Sequence, residues 1–244
     1  MSTRHTQPEA DRSQHTQPPP DGGDASVPPA AEASQTPEAR PTRILLVRHG
    51  VNDYVKQGLL AGRTPGVHLN DEGRAQAVAL AERLASEPIV AIYSSPLERC
   101  VETAAPLARR LDIEPMIVDD IIETGCGEWT GQALEALRQD PAWQQVQISP
   151  SSFRFPNGES MLEVQARMVA ALQRLAQRHA GELIVLVSHS DPIKEAVAFH
   201  VGMPLDTFQR LEVSPASISE LVFNSFHVRL ARLNDTAHVP NCVL

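Results

Sequence analysis

The sequence predicts an α/β fold in which a largely parallel sheet is covered by helices on both sides. Two short runs of Ile, Leu and Val, RILLV at 43–47 and LIVLV at 183–187, are apolar on both faces. Such strands are typical of parallel sheets buried between helices. Segments with helical periodicity and capping residues separate the strands, and this alternation favours an α/β architecture.

The first half of the chain carries two of the predicted strands. The strand at 43–47 is followed by a helix that we expect to begin after Asn70, a favourable N-cap residue, and to run to about Ser86. The segment PIVAIYS at 88–94 then predicts a second strand. A strand, a helix and a second strand in this order form one unit of a parallel sheet.

The helix after the second strand is predicted to open with a capping box. Ser95 and Glu98 have the required spacing, and Pro96 would occupy the first helical position. Cys100 recurs on the apolar face of this helix together with Ala and Leu residues. Packing is therefore its expected role.

A third strand and a long helix follow in the second half. The strand is predicted at 114–118, and the helix from about Ser160 to His179. Ser160 and Glu163 form a second potential capping box at its start.

The segments after the strand at 183–187 complete the domain. The next helix is predicted to be capped by Asp191, with Pro192 at its first position. Residues 211–233 then resemble consecutive strands at a sheet edge.

The N-terminal segment differs in composition from the rest of the chain. Residues 1–41 contain eight prolines among polar residues, and Val27 is their only branched aliphatic residue. Such a segment buries too little apolar surface to offset the entropy lost on ordering. We therefore predict a disordered tail at 1–41 and one folded domain at 42–244.

Composition also limits the partners and the compartment. The formal net charge is −9 and the Lys and Arg residues are scattered, so no basic surface for nucleic acid is indicated. The apolar runs are far shorter than the roughly 20 residues of a membrane helix, and the N-terminus lacks the apolar core of a signal peptide. Three scattered cysteines without a CxxC pair fit a reducing compartment. We expect a soluble, cytoplasmic protein.

A histidine follows each of the two most apolar strands. His49 comes after the strand at 43–47 and His189 after the strand at 183–187. In open α/β sheets, ligands bind outside the carboxyl ends of the strands. Both side chains are therefore candidates for one site, although each taken alone is also compatible with an ordinary surface histidine.

Two arginines near these histidines favour a phosphate ligand. Arg48 precedes His49, and Arg99 lies in the first turn of a predicted helix. Arginine binds phosphate oxygens bidentately, and helix N-termini attract anions. A neutral imidazole beside such charges can attack phosphorus, while the second imidazole stabilises the charge that develops on the oxygens.

An acid is also needed to protonate the leaving oxygen. The glycine-rich segment IIETGCGEWTG contains Glu123 and Glu128, either of which could act as general acid and later as general base. Spacing alone does not choose between them, and either is also compatible with a solvated loop charge.

Taken together, these motifs resemble the histidine phosphatase, or phosphoglycerate-mutase-like, superfamily. The matching segments are LLVRHG, SSPLERCVETA, ETGCGEWTG, PNGES and VSHSDPIK, in this order over roughly residues 43–225. Two further segments, LAGRTPGVHLNDEGRAQA and FQRLEVSPAS, are similar to a bacterial subgroup described as probable phosphomutases or acid phosphatases. The resemblance implies a three-layer α/β/α sandwich and phosphoryl chemistry without a metal or another cofactor.

The resemblance also implies a role for each candidate. His49 would be the phosphorylated nucleophile, and Glu123, rather than Glu128, the proton donor and general base. Arg48, Arg99 and His189 would form the phosphate pocket.

The chain departs from the family pattern after Arg-His-Gly. The family commonly has an acidic or polar residue, then Thr or Ser, and later an Asn that binds phosphate, where this chain has Val51, Asn52 and Val55. We expect Asn52 or the loop around Arg63 to replace the missing amide contact. Ser190 stands where glycine often follows the second histidine, which would narrow the pocket.

Hydrolysis of a small phosphorylated metabolite is the predicted activity. Mutases of the superfamily have a longer insertion rich in Arg and Lys after the acidic loop, whereas residues 132–156 contain only Arg138 and Arg154. PNGES is likewise more typical of the phosphatase branch. The alternatives are a phosphoglycerate-mutase-type phosphomutase and a non-catalytic module that binds a phosphorylated ligand. A homodimer is compatible with the sequence, which does not decide the oligomeric state.

Overall fold

The computed structural model describes residues 40–239. The predicted tail at 1–41 lies almost entirely outside these residues, so its disorder stays a prediction. No helix within the described range combines the length and the apolar character required to cross a lipid bilayer.

A six-stranded mixed sheet forms the centre of the domain, with the spatial order β3-β2-β4-β1-β5-β6. The strands are Thr42–Arg48 (β1), Ile89–Ser94 (β2), Met116–Ile117 (β3), Leu183–Ser188 (β4), Ile218–Phe223 (β5) and Val228–Asp235 (β6). The first four in spatial order are parallel, and β5 and β6 continue the sheet antiparallel. This confirms the mostly parallel sheet and the consecutive strands at one edge.

The α-helices connect and cover these strands. They are Asp53–Gln57 (α1), Asp71–Leu84 (α2), Glu98–Leu111 (α3), Leu134–Leu137 (α4), Pro141–Ile148 (α5), Met161–Arg178 (α6) and Ser190–His200 (α7). Short 3-10 turns occur at Asp119–Ile121, Gly127–Trp129, Pro150–Ser152 and Leu205–Arg210.

Each face of the sheet packs against its own pair of helices. Alternate residues of β1, such as Leu45 and Val47, join Leu80 of α2 and Leu107 of α3 in one buried cluster. The opposite face packs against α6 and α7, for example through Leu172. The domain is therefore the three-layer α/β/α sandwich that the resemblance implied.

Two predicted helix starts are wrong, each by two residues. Ser95 does not cap α3, whose first residue is Glu98 and whose N-cap is Leu97, because the Ser95 hydroxyl faces His189 instead. Pro96 therefore precedes the helix. Likewise α7 begins at Ser190 rather than after Asp191, and Pro192 fits in its first turn because the N–H groups there have no intrahelical acceptor.

The other predicted caps are present. Asn70 accepts a hydrogen bond from the Gly73 N–H at the start of α2. At the start of α6, Ser160 and Glu163 form both hydrogen bonds of a capping box.

Candidate active site

The parallel pairing of β1 with β4 brings the two histidines together. Arg48 pairs with Ser188 in the sheet register, and the His49 N–H donates to the Ser188 carbonyl at 2.9 Å. The rings of His49 and His189 contact edge to face with their centroids 5.2 Å apart. Only 4% of His49 and 0% of His189 is exposed, so both imidazoles are held in a low-dielectric site.

The turn after His49 is fixed by close backbone packing. The Gly50 N–H donates to the Thr103 hydroxyl at 3.0 Å. A Cβ atom on Gly73 would lie 2.0 Å from the Val51 carbonyl oxygen. Only glycine, which has no Cβ, fits at this position. The start of α2 therefore packs directly against this turn and holds the position of the imidazole.

A backbone carbonyl determines which nitrogen of His49 is protonated. Its Nδ1 lies 2.8 Å from the Gly50 carbonyl oxygen, which can only accept a hydrogen bond, so Nδ1 carries the proton and Nε2 has a free lone pair. Burial lowers the pKa of His49 well below its ordinary value, and Arg99 and Arg48 lower it further. The ring is therefore neutral at neutral pH, the form that can attack an electrophile.

His189 is also kept neutral and is held by side chains of the β2–α3 segment. Its Nε2 lies 2.8 Å from the Ser95 hydroxyl and 3.4 Å from the Cys100 sulfur. Burial lowers the pKa of His189 well below its usual value, and the charges of Arg99 and Arg48 act in the same direction. Cys100 packs on the apolar face of α3 as predicted, and burial raises the pKa of its thiol to about 12.

Two guanidinium groups flank the histidines, one fully buried and one half-buried. Arg99 is fully buried in the first turn of α3 and donates from Nη2 to the Gly62 carbonyl at 2.8 Å. Arg48 donates from Nη1 to the Val213 carbonyl at 2.7 Å. Within residues 40–239, Nε and Nη1 of Arg99 and Nε of Arg48 have no hydrogen-bond partner. Buried, unpaired cationic donors are costly, so an anionic ligand would stabilise this arrangement.

Glu123 lies beside the two histidines, and Glu128 does not. The Glu123 carboxylate accepts the Thr124 N–H through Oε1 at 2.9 Å, and its Oε2 lies 3.6 Å from Nδ1 of His189. Its side chain is 17% exposed, toward the cavity. Burial raises the pKa of Glu123 above its ordinary value. The Glu128 side chain is exposed and accepts from Asn157 at 2.6 Å, away from the histidines.

Asn52 lies in the same cavity with its amide nitrogen free. It is fully buried, and its Oδ1 accepts the Val55 N–H at 2.9 Å, which caps α1. Among the described residues its Nδ2 has no hydrogen-bond partner. The residue therefore has a free N–H donor at the cavity, and its contact with phosphate stays a prediction.

Arg63 lies beside the segment that carries Glu123. It does not line the cavity, because its Nε donates to the Glu123 carbonyl at 2.8 Å and its Nη2 pairs with Glu159 at 2.7 Å. Arg63 therefore supports the segment that carries Glu123, and its contact with phosphate stays a prediction.

Sequence reasoning missed two residues that support the same segment. Arg167 of α6 donates to the backbone carbonyls of Asp120, Ile122 and Glu123 at 2.7–3.1 Å. It also pairs with Glu159, whose carboxylate accepts the Gly125 N–H at 2.9 Å. Glu159 belongs to the PNGES motif, so its sequence context could have indicated that it supports the Glu123 segment. Arg167 gave no such signal, because it resembles an ordinary polar residue of an amphipathic helix.

The atypical residues around the histidines have distinct positions. Val51 is buried, while Val55 and Ser190 line the cavity. Ser190 is also the first residue of α7, so the positive end of this helix dipole lies at the cavity wall.

A cavity of about 370 Å³ opens above these groups. Arg48, His49, Asn52, Arg99 and Glu123 all contribute to its lining. The volume is within the range of small-molecule sites.

The charges of the site favour an anion over a metal ion. One donor atom each of His49, Glu123 and His189 lies within 4.8 Å of the others, as in a metal site. However, the adjacent guanidinium groups of Arg48 and Arg99 repel a cation and attract a phosphate dianion. The donor set therefore fits phosphoryl chemistry better than metal ligation.

Comparison with known proteins assigns the chain to a protein family. The sequence profile of the Histidine phosphatase superfamily (branch 1) matches residues 44–236. The chain belongs to the histidine phosphatase superfamily.

Relatives of this chain include a protein named as a phosphatase. An uncharacterized protein of Mycobacterium tuberculosis is 35% identical over 187 residues, which cover 75% of this chain and 91% of the relative. Phosphoserine phosphatase 1 of Hydrogenobacter thermophilus is 29% identical over 199 residues, or 81% of this chain and 94% of that protein.

Solved structures of histidine phosphatases share the fold. A phosphoserine phosphatase mutant from Entamoeba histolytica, in complex with phosphoserine, matches with a TM-score of 0.76 and 26% identity. The match covers 82% of this chain and 100% of that chain. The present protein is a phosphatase of the histidine phosphatase superfamily, and the alternative of a non-catalytic binding module is set aside.

Proposed function

We propose that this histidine phosphatase hydrolyses small phosphomonoesters through a phosphohistidine at His49, without a metal ion. The observation that carries the proposal is the hydrogen bond between Nδ1 of His49 and the Gly50 carbonyl oxygen at 2.8 Å. It leaves Nε2 unprotonated in a ring that lines the cavity. Such a nitrogen has the lone pair that nucleophilic catalysis requires.

In the first step, Nε2 of His49 attacks phosphorus and the bond to the ester oxygen breaks. Glu123 enters protonated, as its raised pKa supports, and transfers its proton to the leaving oxygen. In the second step, the Glu123 carboxylate removes a proton from water, the water oxygen attacks phosphorus, and the N–P bond breaks. The products are an alcohol and inorganic phosphate.

The buried donors stabilise the charge that develops on the phosphoryl oxygens. Arg48 and Arg99 have unpaired N–H groups in the site, and Asn52 adds an amide N–H. These donors are already fixed in place, so little reorganisation is needed during the reaction.

Hydrolysis is favoured over a mutase reaction by the cavity lining. A mutase must hold a second anionic group of its phosphorylated ligand. Neither Arg138 nor Arg154 lines the cavity, and Arg154 pairs with Glu163 at the surface at 2.5 Å. Among the described residues, the only arginines in its lining are Arg48 and Arg99, which serve the transferred phosphoryl group.

The test is intact-protein mass spectrometry with an alkaline quench after brief incubation with phenyl phosphate. We expect an acid-labile phosphoryl adduct and phosphate release in the wild type, and loss of both in His49→Ala. His227→Ala, which removes an exposed histidine, is the matched control and should retain the adduct. An adduct that persists in His49→Ala, or turnover that does not depend on His49, would contradict the proposal.

A further inference from the structure

The walls of the cavity away from the phosphate donors are largely apolar. We name as the apolar wall the six residues Leu60, Trp129, Leu134, Trp143, Val146 and Phe155, all of which line the cavity. They come from the loop after α1, the 3-10 turn at Gly127–Trp129, the helices α4 and α5, and the segment before α6. These segments form a cover over the site, separate from the sheet that carries the histidines.

Trp143 is the wall residue best placed to contact a ligand. Its ring stacks on the buried Trp129, with centroids 6.1 Å apart and an angle of 26° between the rings. Trp143 itself is only half-buried, and it lines the cavity from α5. A partly exposed indole fixed by stacking offers a rigid apolar contact surface.

The cavity lining contains few charges that could bind a polar leaving group. Within residues 40–239, the only charged residue in it beyond the phosphate donors and Glu123 is Asp191. Its carboxylate is already paired with Lys194 at 2.8 Å, and Lys194 also donates to Gln209. A carboxylate or ammonium group on the substrate would therefore lose water against the apolar wall without gaining an ionic partner, which is unfavourable.

From this lining we infer that the preferred substrate is the phosphomonoester of an uncharged, largely apolar alcohol, such as an alkyl or aryl phosphate. This inference rests on the proposed hydrolysis and adds its substrate class. It separates this chain from relatives whose names specify phosphoserine, because phosphoserine carries both an ammonium and a carboxylate on its leaving group.

The first experiment measures kcat/KM for ethyl, butyl and hexyl phosphate, together with O-phosphoserine and 3-phosphoglycerate. The alkyl esters have nearly equal leaving groups, so chain length reports binding rather than chemistry. We expect kcat/KM to rise about fourfold for each added methylene until the cavity is filled, and both charged esters to fall below butyl phosphate. A flat alkyl series, or a preference for either charged ester, would overturn the inference.

Variants of the apolar wall test the same inference from the protein side. Trp143→Ala should flatten the dependence on chain length, whereas Ile148→Ala should not, since Ile148 lies on the same helix but is 71% exposed and outside the cavity. Leu134→Lys adds a cation to the wall and should raise the 3-phosphoglycerate rate relative to hexyl phosphate. If both wall variants keep the wild-type ranking of esters, the inference is wrong.

These outcomes are distinct from failure of the proposed function. If hydrolysis through His49 fails, no ester in the series is turned over and no phosphoryl adduct forms. If only the substrate class fails, the adduct and turnover remain, and the ranking of the esters alone departs from expectation.

Discussion

Single hydrogen bonds determine the chemistry at the residue scale. The Gly50 carbonyl selects the tautomer of His49, and the Thr124 N–H holds one oxygen of the Glu123 carboxylate. Both partners are backbone groups adjacent to the side chain they orient. The chain therefore orients its nucleophile and its acid locally, while the burial that shifts their pKa values comes from the tertiary fold.

Replacement of Glu123 by Gln removes the proton donor at nearly constant shape. We expect kcat/KM for ethyl phosphate to fall by about 10²–10⁴-fold. The loss should be smaller for p-nitrophenyl phosphate, because its leaving oxygen needs little protonation. Steady-state kinetics on the two esters check this, and an equal loss on both would contradict the assignment of Glu123 as the acid.

The pH profile provides a second test of Glu123. The acid must be protonated, so wild-type kcat/KM should fall as the pH rises through the folded pKa, which burial raises above the ordinary glutamate value. We expect this alkaline decline with ethyl phosphate in the wild type and its absence in Glu123→Gln. A decline that persists unchanged in the variant would assign the titration to another group.

Asn52→Ser separates helix capping from ligand binding. A serine hydroxyl can still accept the Val55 N–H at the start of α1, but it lacks the free amide of Asn52. Loss of a hydrogen bond to a charged ligand should lower kcat/KM by roughly 10-fold to 100-fold, mainly through KM. Asn70→Ser makes the same change at the N-cap of α2, which lies outside the cavity. Equal KM values in the two variants would exclude a phosphate contact from Asn52.

At the scale of elements, two similar sequence patterns have different roles. Ser95-x-x-Glu98 and Ser160-x-x-Glu163 both match a capping box, yet only the second caps a helix. Ser95 instead accepts the Leu97 N–H at 3.4 Å and faces Nε2 of His189. Its own proton can then be donated to Nε2, which favours a proton on Nδ1 of His189, the nitrogen nearer Glu123.

Replacement by alanine should affect stability at Ser160 and catalysis at Ser95. Ser160→Ala should lower the free energy of unfolding by about 1 kcal/mol and leave kcat unchanged. Ser95→Ala should lower kcat by about 2-fold to 10-fold, the value of one neutral hydrogen bond, and change the pH profile, because His189 loses its fixed tautomer. Denaturant titration and pH-dependent kinetics measure both effects, and an unchanged kcat and pH profile in Ser95→Ala would leave Ser95 a structural role only.

The elements were more predictable than the contacts between them. Apolar runs located the strands, and capping residues located the starts of α2 and α6, because these signals are local. They could not show that β4 lies between β1 and β2, nor that Arg63 turns toward Glu159. Those outcomes depend on residues distant in sequence, as does the support that Arg167 gives to the Glu123 segment.

At the scale of the whole molecule, charge is distributed unevenly. The chain has a formal net charge of −9, yet its cavity is lined by Arg48 and Arg99, each with a buried N–H group that has no partner among the described residues. A second buried group, Glu195 of α7, is 0% exposed, and neither carboxylate oxygen has a hydrogen-bond partner within residues 40–239. Burial raises the pKa of Glu195 well above its ordinary value, and the negative charges of Asp191 and Glu123 raise it further. The positive charges of Arg167 and Lys194 act in the opposite direction.

This buried acid should make global stability depend on pH. The folded state retains the Glu195 proton to higher pH than the unfolded chain does. Stability is therefore lost as the pH rises from the unfolded pKa, near 4.3, toward the folded one. Relative to Glu195→Gln, wild type should lose up to about 1.4 kcal/mol of unfolding free energy per pH unit in this window.

Chemical denaturation across that pH range measures the effect of Glu195. The control is Glu135→Gln, which removes an exposed carboxylate from α4. A stability difference between wild type and Glu195→Gln that does not change with pH would show that Glu195 ionises equally in both states.

The central position of β4 has a consequence for synthesis of the chain. β1 and β2 emerge early from the ribosome, but they do not pair with each other in the sheet, because β4 lies between them and pairs with both. Until residue 188 has been made, both strands have an unpaired edge that favours aggregation. A nascent chain that stops short of β4 therefore has neither a continuous sheet nor His189, and its strand edges stay unpaired for longer than in a domain built from sequential hairpins.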